Sequence, residues 1–475
     1  MKMKKIIQLS LMALVSIANS QQPKEGGSNW KIQTQKEWEA SSDTAKNISF
    51  KNEQALSDSL VSSYKSIVKK YKKKKKARSI VFKQSAAWDN WKEIPTLAGD
   101  EIDNAQVFIP VKPGDYYLLG TYKAYQSTRL PDRTWKKSKY NVDDSQKGYH
   151  AWHSTDMKNW KHYGPVTNLR AKWVTTAEYV DGKFYIYYDF PNDQDPHLII
   201  DEDLKDGKMG KDMGMVFPDP SHGSDCSILR DEDGLFHLIY ENWDPIDARA
   251  HSFDSPLAGH AVSKDGIHDF KIMPTPAVDH RTTPTGKYGG FKHSSDKKPL
   301  QYEIHTPEQN AYGDWTNIKI GDRYYLFCDY DPVGEGIKLG YFSSDDINKQ
   351  FVFGGSLGKG HPDPTIGFAE GKFYLIQQRG EVDFISSGPW VEGVEARVGV
   401  DTTGNGEINE WTKWQEIKEE YKQKPGFVRI IDKKPASIDL TDLPSGYGFS
   451  FEYRTQKIDE LDTKVIMDEV KLLFK

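Results

Sequence analysis

The chain has 475 residues, a formal net charge of −5, and 25 Tyr, 21 Phe and 13 Trp among frequent Gly and Pro. That composition suits short strands and turns better than a helical bundle. The lack of a basic surplus argues against a nucleic-acid partner, and two cysteines, Cys226 and Cys328, are too few for a disulfide framework. Both are expected to be buried free thiols.

The N-terminus, "MKMKKIIQLSLMALVSIANS", sets lysines before an apolar run from Ile6 to Ala18 and ends in small residues. This is the pattern of a cleavable signal peptide over residues 1–20, which predicts a secreted or periplasmic protein. No later segment has the 18 or so apolar residues of a membrane span. Residues 21–90 read as a partly helical extension: Leu56, Leu60, Tyr64 and Val68 keep helical spacing ahead of the lysine block Lys70 to Lys76. That block reads as a solvated helix end or, alternatively, as a site for an anionic polymer.

From about residue 100 one pattern recurs five times. The units are "DNAQVFIPVKPGDYYLLG" from Asp103, "WVTTAEYVDGKFYIYY" from Trp173, "GSDCSILRDEDGLFHLIY" from Gly223, "DWTNIKIGDRYYLFCD" from Asp314 and "DPTIGFAEGKFYLIQQ" from Asp363. Each is an apolar strand, a Gly/Asp turn suited to a hairpin, and an aromatic strand. A second signature, Ser or Thr just before an acidic turn, follows in "HSTDMKNWKHYG", "AVSKDGIHDFK" and "YFSSDDINKQF". Five such units predict an all-β fold, a five-bladed β-propeller over residues 91–475, with the C-terminal strands closing the last blade.

In such a ring the opening residues of the inner strands gather at the axis, so Asp103, Asp225, Asp314 and Asp363 are expected to converge. Like charges raise one another's proton affinity, which divides the carboxylates into acid and base. Glycoside hydrolysis uses that division. Structural aspartates that close backbone turns would carry the same letters.

The motifs "WVTTAEYVDGKFYIYY", "STDMKNW" and "SDCSILRDEDGLFHLIY" resemble those of the five-bladed propeller glycoside hydrolases of families 43 and 117, over roughly residues 100 to 380. The resemblance implies that Asp103 is the general base and Asp225 the aspartate that orients the acid and tunes its pKa. The family's acid is a Glu opening blade four; here that position is Asp314, and the usual Glu-Gly-Pro is missing. Upstream, "YEIHTPEQNAYGDW" offers Glu303, His305 and Glu308, and in family 117 a His is assigned the acid's role, so Asp314, Glu308 and His305 all stand as candidates.

Substrate contacts are expected from Trp173 and Trp315, which open blades, from Asp363, and from Arg249, whose planar fork suits sulfate or carboxylate. His251 is a weaker candidate beside Arg249 for an anionic group, and His222 and His361, which precede blade openings, for a central ion or water. No cofactor or catalytic metal is expected. A structural Ca2+ is suggested by "DTTGNGEINEW", where Asp401, Thr403 and Asn405 take positions one, three and five and Gly406 the sharp turn, although Thr412 replaces the Glu of position twelve. The expectation is a secreted glycoside hydrolase acting on a plant or algal oligo- or polysaccharide. A glycan-binding propeller without activity is the alternative; a phosphorylase or sialidase-like enzyme lacks its basic cluster or arginine spacing.

Overall fold

The hairpin turns form where Gly and acidic residues predicted them. Asp181-Gly182 (φ 50° and 85°) and Glu370-Gly371 (φ 48° and 73°) both hold two positive φ values, the geometry that lets a two-residue loop follow the strand twist. The computed structural model describes residues 29–475 except 87, 89–91, 95–101, 123–127, 130–134, 137–147, 170, 192–193, 244–254, 281–286, 292–299, 305–309, 333–334, 358–362, 380–381, 388–392 and 457–463. The signal-peptide expectation lies outside the described residues.

The chain is nearly all β. Five sheets each run outward, antiparallel, in sequence order. The first is Ile102–Lys112, Asp115–Tyr122, Tyr149–Ser154 and Trp160–Pro165. The second is Trp173–Val180, Lys183–Asp189, Pro196–Asp201 and Lys211–Met215. The third is Ser227–Arg230, Phe236–Glu241, Leu257–Ser263 and Lys271–Ile272, with Val278–Asp279 also on its third strand. The fourth is Ala311–Ile320, Arg323–Asp331, Lys338–Ser344 and Val352–Ser356. The fifth is Thr365–Ala369, Lys372–Arg379 and Val382–Ser387, completed by Lys92–Ile94 from far upstream.

The first strands of successive sheets are neighbours in space, first with second through to fourth with fifth, and fifth with first again. A separate apolar core fills each gap between adjacent sheets, from Val107, Tyr117 and Ile186 between the first two to Phe108, Tyr116 and Ile376 between the fifth and first. Each innermost strand is a buried edge whose N–H groups need partners. Side chains of the neighbouring sheet supply some of them: Thr365 Oγ accepts from Phe108 N–H (3.0 Å) and Thr176 Oγ from Ile228 N–H (3.2 Å). A side-chain bond from Asn317 to Ser227 Oγ (2.8 Å) links the third and fourth inner strands. The Ser-acid turns also form as read, with Ser154, Ser263 and Ser344 accepting from the N–H of Asp156, Asp265 and Asp346.

The extension departs from expectation. Among the described residues the one α-helix is Gln35–Ser41, capped by Thr34 and Glu37. The basic helix predicted within residues 21–90 is absent: Gln54–Ser57, Ser63–Ser66 and Lys69–Lys75 are strands. A four-residue apolar spacing is also a multiple of two, so it keeps side chains on one face of a strand as well as of a helix. Asn52 and Glu53, at φ 52° and 62°, turn the chain into a hairpin instead.

The C-terminal strands do not close the fifth sheet, a second correction. Val465–Phe474 pairs with Ala77–Ala86, and Gly446–Thr455 pairs with Val394–Asp401, Ser63–Ser66 and Lys69–Lys75. Two sheets built from both ends of the chain thus face each other across one core that includes Trp38, Tyr64, Phe82, Phe451 and Met467.

Between sandwich and ring, Ile430–Lys434 lies parallel to the far end of Ala311–Ile320. The preceding Arg429 is buried and donates to Asn317 O (3.3 Å), Thr176 Oγ (3.3 Å) and Ala177 O (3.2 Å). It also faces Glu178, whose carboxyl burial pushes up to about 7 against the pull of that guanidinium. Removing one member of a buried pair strands the other. Arg429→Met is expected to cost roughly 3–5 kcal/mol, more at pH 8 than at pH 6 because Glu178 is then ionised. Urea unfolding followed by Trp fluorescence checks this, with Arg429→Met/Glu178→Gln recovering much of the loss.

Candidate active site

One local device repeats at the end of the ring where the inner strands begin. Asp225 and Asp363 stand just before an inner strand and Asp314 at the bulge within one; each has positive φ, and an acid at or near the end of the second strand of the preceding sheet accepts its N–H. Asp225 (φ 36°) donates to Asp189 Oδ2 at 3.0 Å, Asp314 (φ 50°) to Glu241 Oε1 at 2.8 Å, and Asp363 (φ 30°) to Asp329 Oδ1 at 2.9 Å. Non-glycine residues visit this region at a cost of order 1 kcal/mol and persist there when their surroundings hold them. Aspartate is among the residue types that tolerate it best.

The bracing acids are themselves held. Asp189 Oδ1 also accepts from Ser224 Oγ (2.6 Å), and Glu241 Oε2 from Trp243 Nε1 (2.5 Å). Trp243 in turn lies against Gly223, where any β-carbon would strike the indole, so glycine is required there. The loop before Asp225 is wrapped on the buried carboxylate of Asp219, which accepts from the N–H groups of Ser221, Gly223 and Ser224.

The outcome is a concentration of negative charge. Asp314, Asp329 and Asp363 each place a carboxylate oxygen within 4.8 Å of the others. The Asp314 carboxyl is pushed well above the usual carboxylate range, first by loss of hydration and then by Asp363, Asp225, Asp329 and Glu241. Three oxygens at this spacing suit either a hard cation or a retained proton. A carboxyl whose proton affinity is raised in this way is suited to donate a proton among acceptor oxygens.

Asp225, Asp314 and Asp363 therefore come together as the repeat predicted. Asp103 lies in the first inner strand, opposite Thr121 in the register, but its side chain is outside the described residues, as are His305, Glu308, Arg249, His251 and His361. Trp173 is half-buried, edge-on to Tyr149. Trp315 is a correction: it is buried among Tyr312 and Phe342, and offers no face for a sugar to stack on. His222 directs Nδ1 toward both Asp195 oxygens at 3.3 Å. Sequence reasoning missed Asp189, Glu241 and Asp329, although the second strands "FYIYYD", "FHLIYE" and "YYLFCD" each end in an acid.

At Asp401 the carboxylate is spent on its own loop, accepting from the N–H groups of Thr403 (3.0 Å), Gly404 (2.7 Å) and Gly406 (2.7 Å), and the Lys70 ammonium lies against Gly406. A cation is already beside the loop where Ca2+ was expected. A cavity of about 700 Å³ is found elsewhere, between the hairpin turns at Pro113 and Gly371 and the segment Tyr421 to Gly426. Those turns lie at the opposite strand ends from the carboxylates.

The raised Asp314 pKa has a consequence for stability. An unfolded Asp titrates near pH 3.9, roughly, so above that value the folded chain holds a proton that the unfolded chain has lost. Stability from this group is complete below about pH 4 and declines as pH rises toward the folded value. Asp314→Asn removes the decline. Its melting temperature should exceed that of the wild type at pH 7.5 by a few degrees or so and match it near pH 4, as read by calorimetry.

No family model matches the chain, and no curated protein matches it. Among solved structures the chain is similar to an α-L-arabinofuranosidase from Clostridium thermocellum (13% identity, TM-score 0.40, 62% of this chain and 92% of that one). It is similar also to an endo-arabinase from Bacteroides thetaiotaomicron (13% identity, TM-score 0.40, 63% and 98%). An exo-β-1,3-galactanase from Phanerochaete chrysosporium is a third (9% identity, TM-score 0.40, 83% of this chain and 100% of that one).

Proposed function

We propose that the five sheets are the blades of a closed five-bladed propeller and that its acidic end is the active site of an exported glycoside hydrolase acting on a plant or algal oligo- or polysaccharide. The observation that carries this reading is the meeting of Asp225, Asp314 and Asp363 with the bracing acids Glu241 and Asp329, which raises the proton affinity of Asp314.

In this reading Asp314 is the general acid. It gives its proton to the glycosidic oxygen as the C–O bond to the anomeric carbon breaks. The backbone bond to Glu241 fixes its position. Asp225 keeps that proton in place by its negative charge and orients the donor. Asp103 is the base, taking a proton from the water that attacks the anomeric carbon.

The test is release of reducing sugar from a panel of neutral and sulfated plant and algal glycans. Asp314→Asn and Asp225→Asn are each expected to lower kcat by roughly 10²–10⁴-fold while binding of oligosaccharide, measured by calorimetry, persists. The wild-type rate should fall on the alkaline side as Asp314 loses its proton. Wild-type binding without any sugar release would leave a glycan-binding module. Export predicts a mature N-terminus near Gln21, read by N-terminal sequencing of the secreted protein.

A further inference from the structure

The lysine block is unrelated to the axial carboxylates, and the fold gives it a specific setting. Lys69–Lys75 is the edge strand of one sandwich sheet, paired with Gly446–Thr455. The pairing is interrupted. Between the Lys70·Gly448 and Lys75·Gly446 pairs the lysine strand has four residues where its partner has only Tyr447. The excess must loop outward as a wide bulge.

The bulge sorts the side chains. Tyr71 turns inward against Phe449 and Phe474 and anchors the segment. Three ammonium groups are engaged with the protein: Lys74 lies over the Tyr447 ring, Lys75 over Tyr71 and Phe474, and Lys76 donates to Leu443 O. Lys70 rests against Gly406. Lys69, Lys72 and Lys73 are exposed and make no ion pair among the described residues. Elsewhere on the surface lysines are routinely paired, as in Lys65–Asp43, Lys172–Asp212 and Lys319–Glu232.

Edge protection alone accounts for one or two lysines. It does not account for an unbroken like-charge cluster in a chain whose total charge is −5, since the bulge by itself already spoils the edge for a further strand. Mutual repulsion of these ammonium groups is relieved when a polyanion lies along them.

We propose that this bulged strand is a docking site for an anionic polysaccharide, one carrying sulfate or uronate groups, with Lys69, Lys72 and Lys73 as its charged contacts. Single-stranded nucleic acid is disfavoured because it is gripped by exposed aromatic faces between the charges. Here Tyr71 faces the core and Tyr447 is covered by Lys74. The choice of a glycan among polyanions rests on the proposed function; the existence of the site does not.

The experiment is affinity electrophoresis and calorimetry of the full chain with a sulfated galactan, polygalacturonate, a neutral galactan and a single-stranded DNA homopolymer. Binding to one or both anionic glycans and not to the neutral one is expected, weakening roughly tenfold or more between about 50 and about 200 mM salt. Sulfate and uronate sources are told apart by which of the two polymers binds. Lys69→Gln/Lys72→Gln/Lys73→Gln should weaken binding at least tenfold while the matching Lys→Arg triple retains it. Hydrolysis of a short neutral chromogenic glycoside should be the same in both triples as in wild type. Equal binding by the Gln triple, equal binding of neutral galactan, or tighter binding of the DNA would overturn the proposal. Asp314→Asn, binding normally but without hydrolytic activity, keeps this outcome separate from the fate of the catalytic reading.

Discussion

A buried carboxylate accepting one backbone N–H is the interaction on which the acidic end of this molecule depends. Asp189, Glu241 and Asp329 take the amides of Asp225, Asp314 and Asp363 in turn. Without that bond the amide would be stranded beside a buried sheet edge, and nothing would hold an aspartate at positive φ. The same bond tells the chain where one sheet stops and the next starts. It sets the direction in which each opening side chain leaves the backbone, so architecture and site are specified together.

This arrangement has an electrostatic cost that the fold does not avoid. A bracing acid works best ionised, yet each stands close to the acid that it positions. Glu241 holds Asp314 by its amide and repels its carboxylate at the same time. The raised proton affinity of Asp314 eases the conflict by favouring its protonated form, while Glu241 keeps its hydrogen bonds to the Asp314 amide and the Trp243 indole. The brace thus adds to a rise that comes first from burial and then from Asp363, Asp225 and Asp329.

The sequence displayed the strands and hairpin turns more clearly than the site. Hairpin turns such as Asp181-Gly182 were legible because only a few residue types accept paired positive φ. Asp225, Asp314 and Asp363 were legible because they recur at one place in a repeat. The acids that brace them recur as regularly, but at strand ends, where an Asp or Glu looks like an ordinary boundary residue until a partner in the next sheet is known. Trp315 was misplaced for a related reason. Its position beside Asp314 on the same strand put it near the axis, but alternation along a strand sends neighbours to opposite faces. The segment Leu56 to Val68 failed because its period satisfied two kinds of element, and only pairing with residues almost four hundred positions away, as in Tyr64 with Tyr453, decides between them.

That long-range pairing also ties the five sheets to the sandwich. The fifth sheet ends on Lys92–Ile94, a strand that follows from the sandwich in sequence, and Arg429, on the segment leading back into it, bonds to the inner strands of the second and fourth sheets. Lys433 reaches across to Glu419 (3.1 Å), whose other oxygen accepts from Gln84 N–H (2.7 Å), joining the two passages of chain. The sandwich needs both ends of the chain, so the strand that completes the fifth sheet and the segment that carries Arg429 both connect to it. Sheets and sandwich are therefore joined by strand pairing and by a buried ion pair rather than by a simple linker.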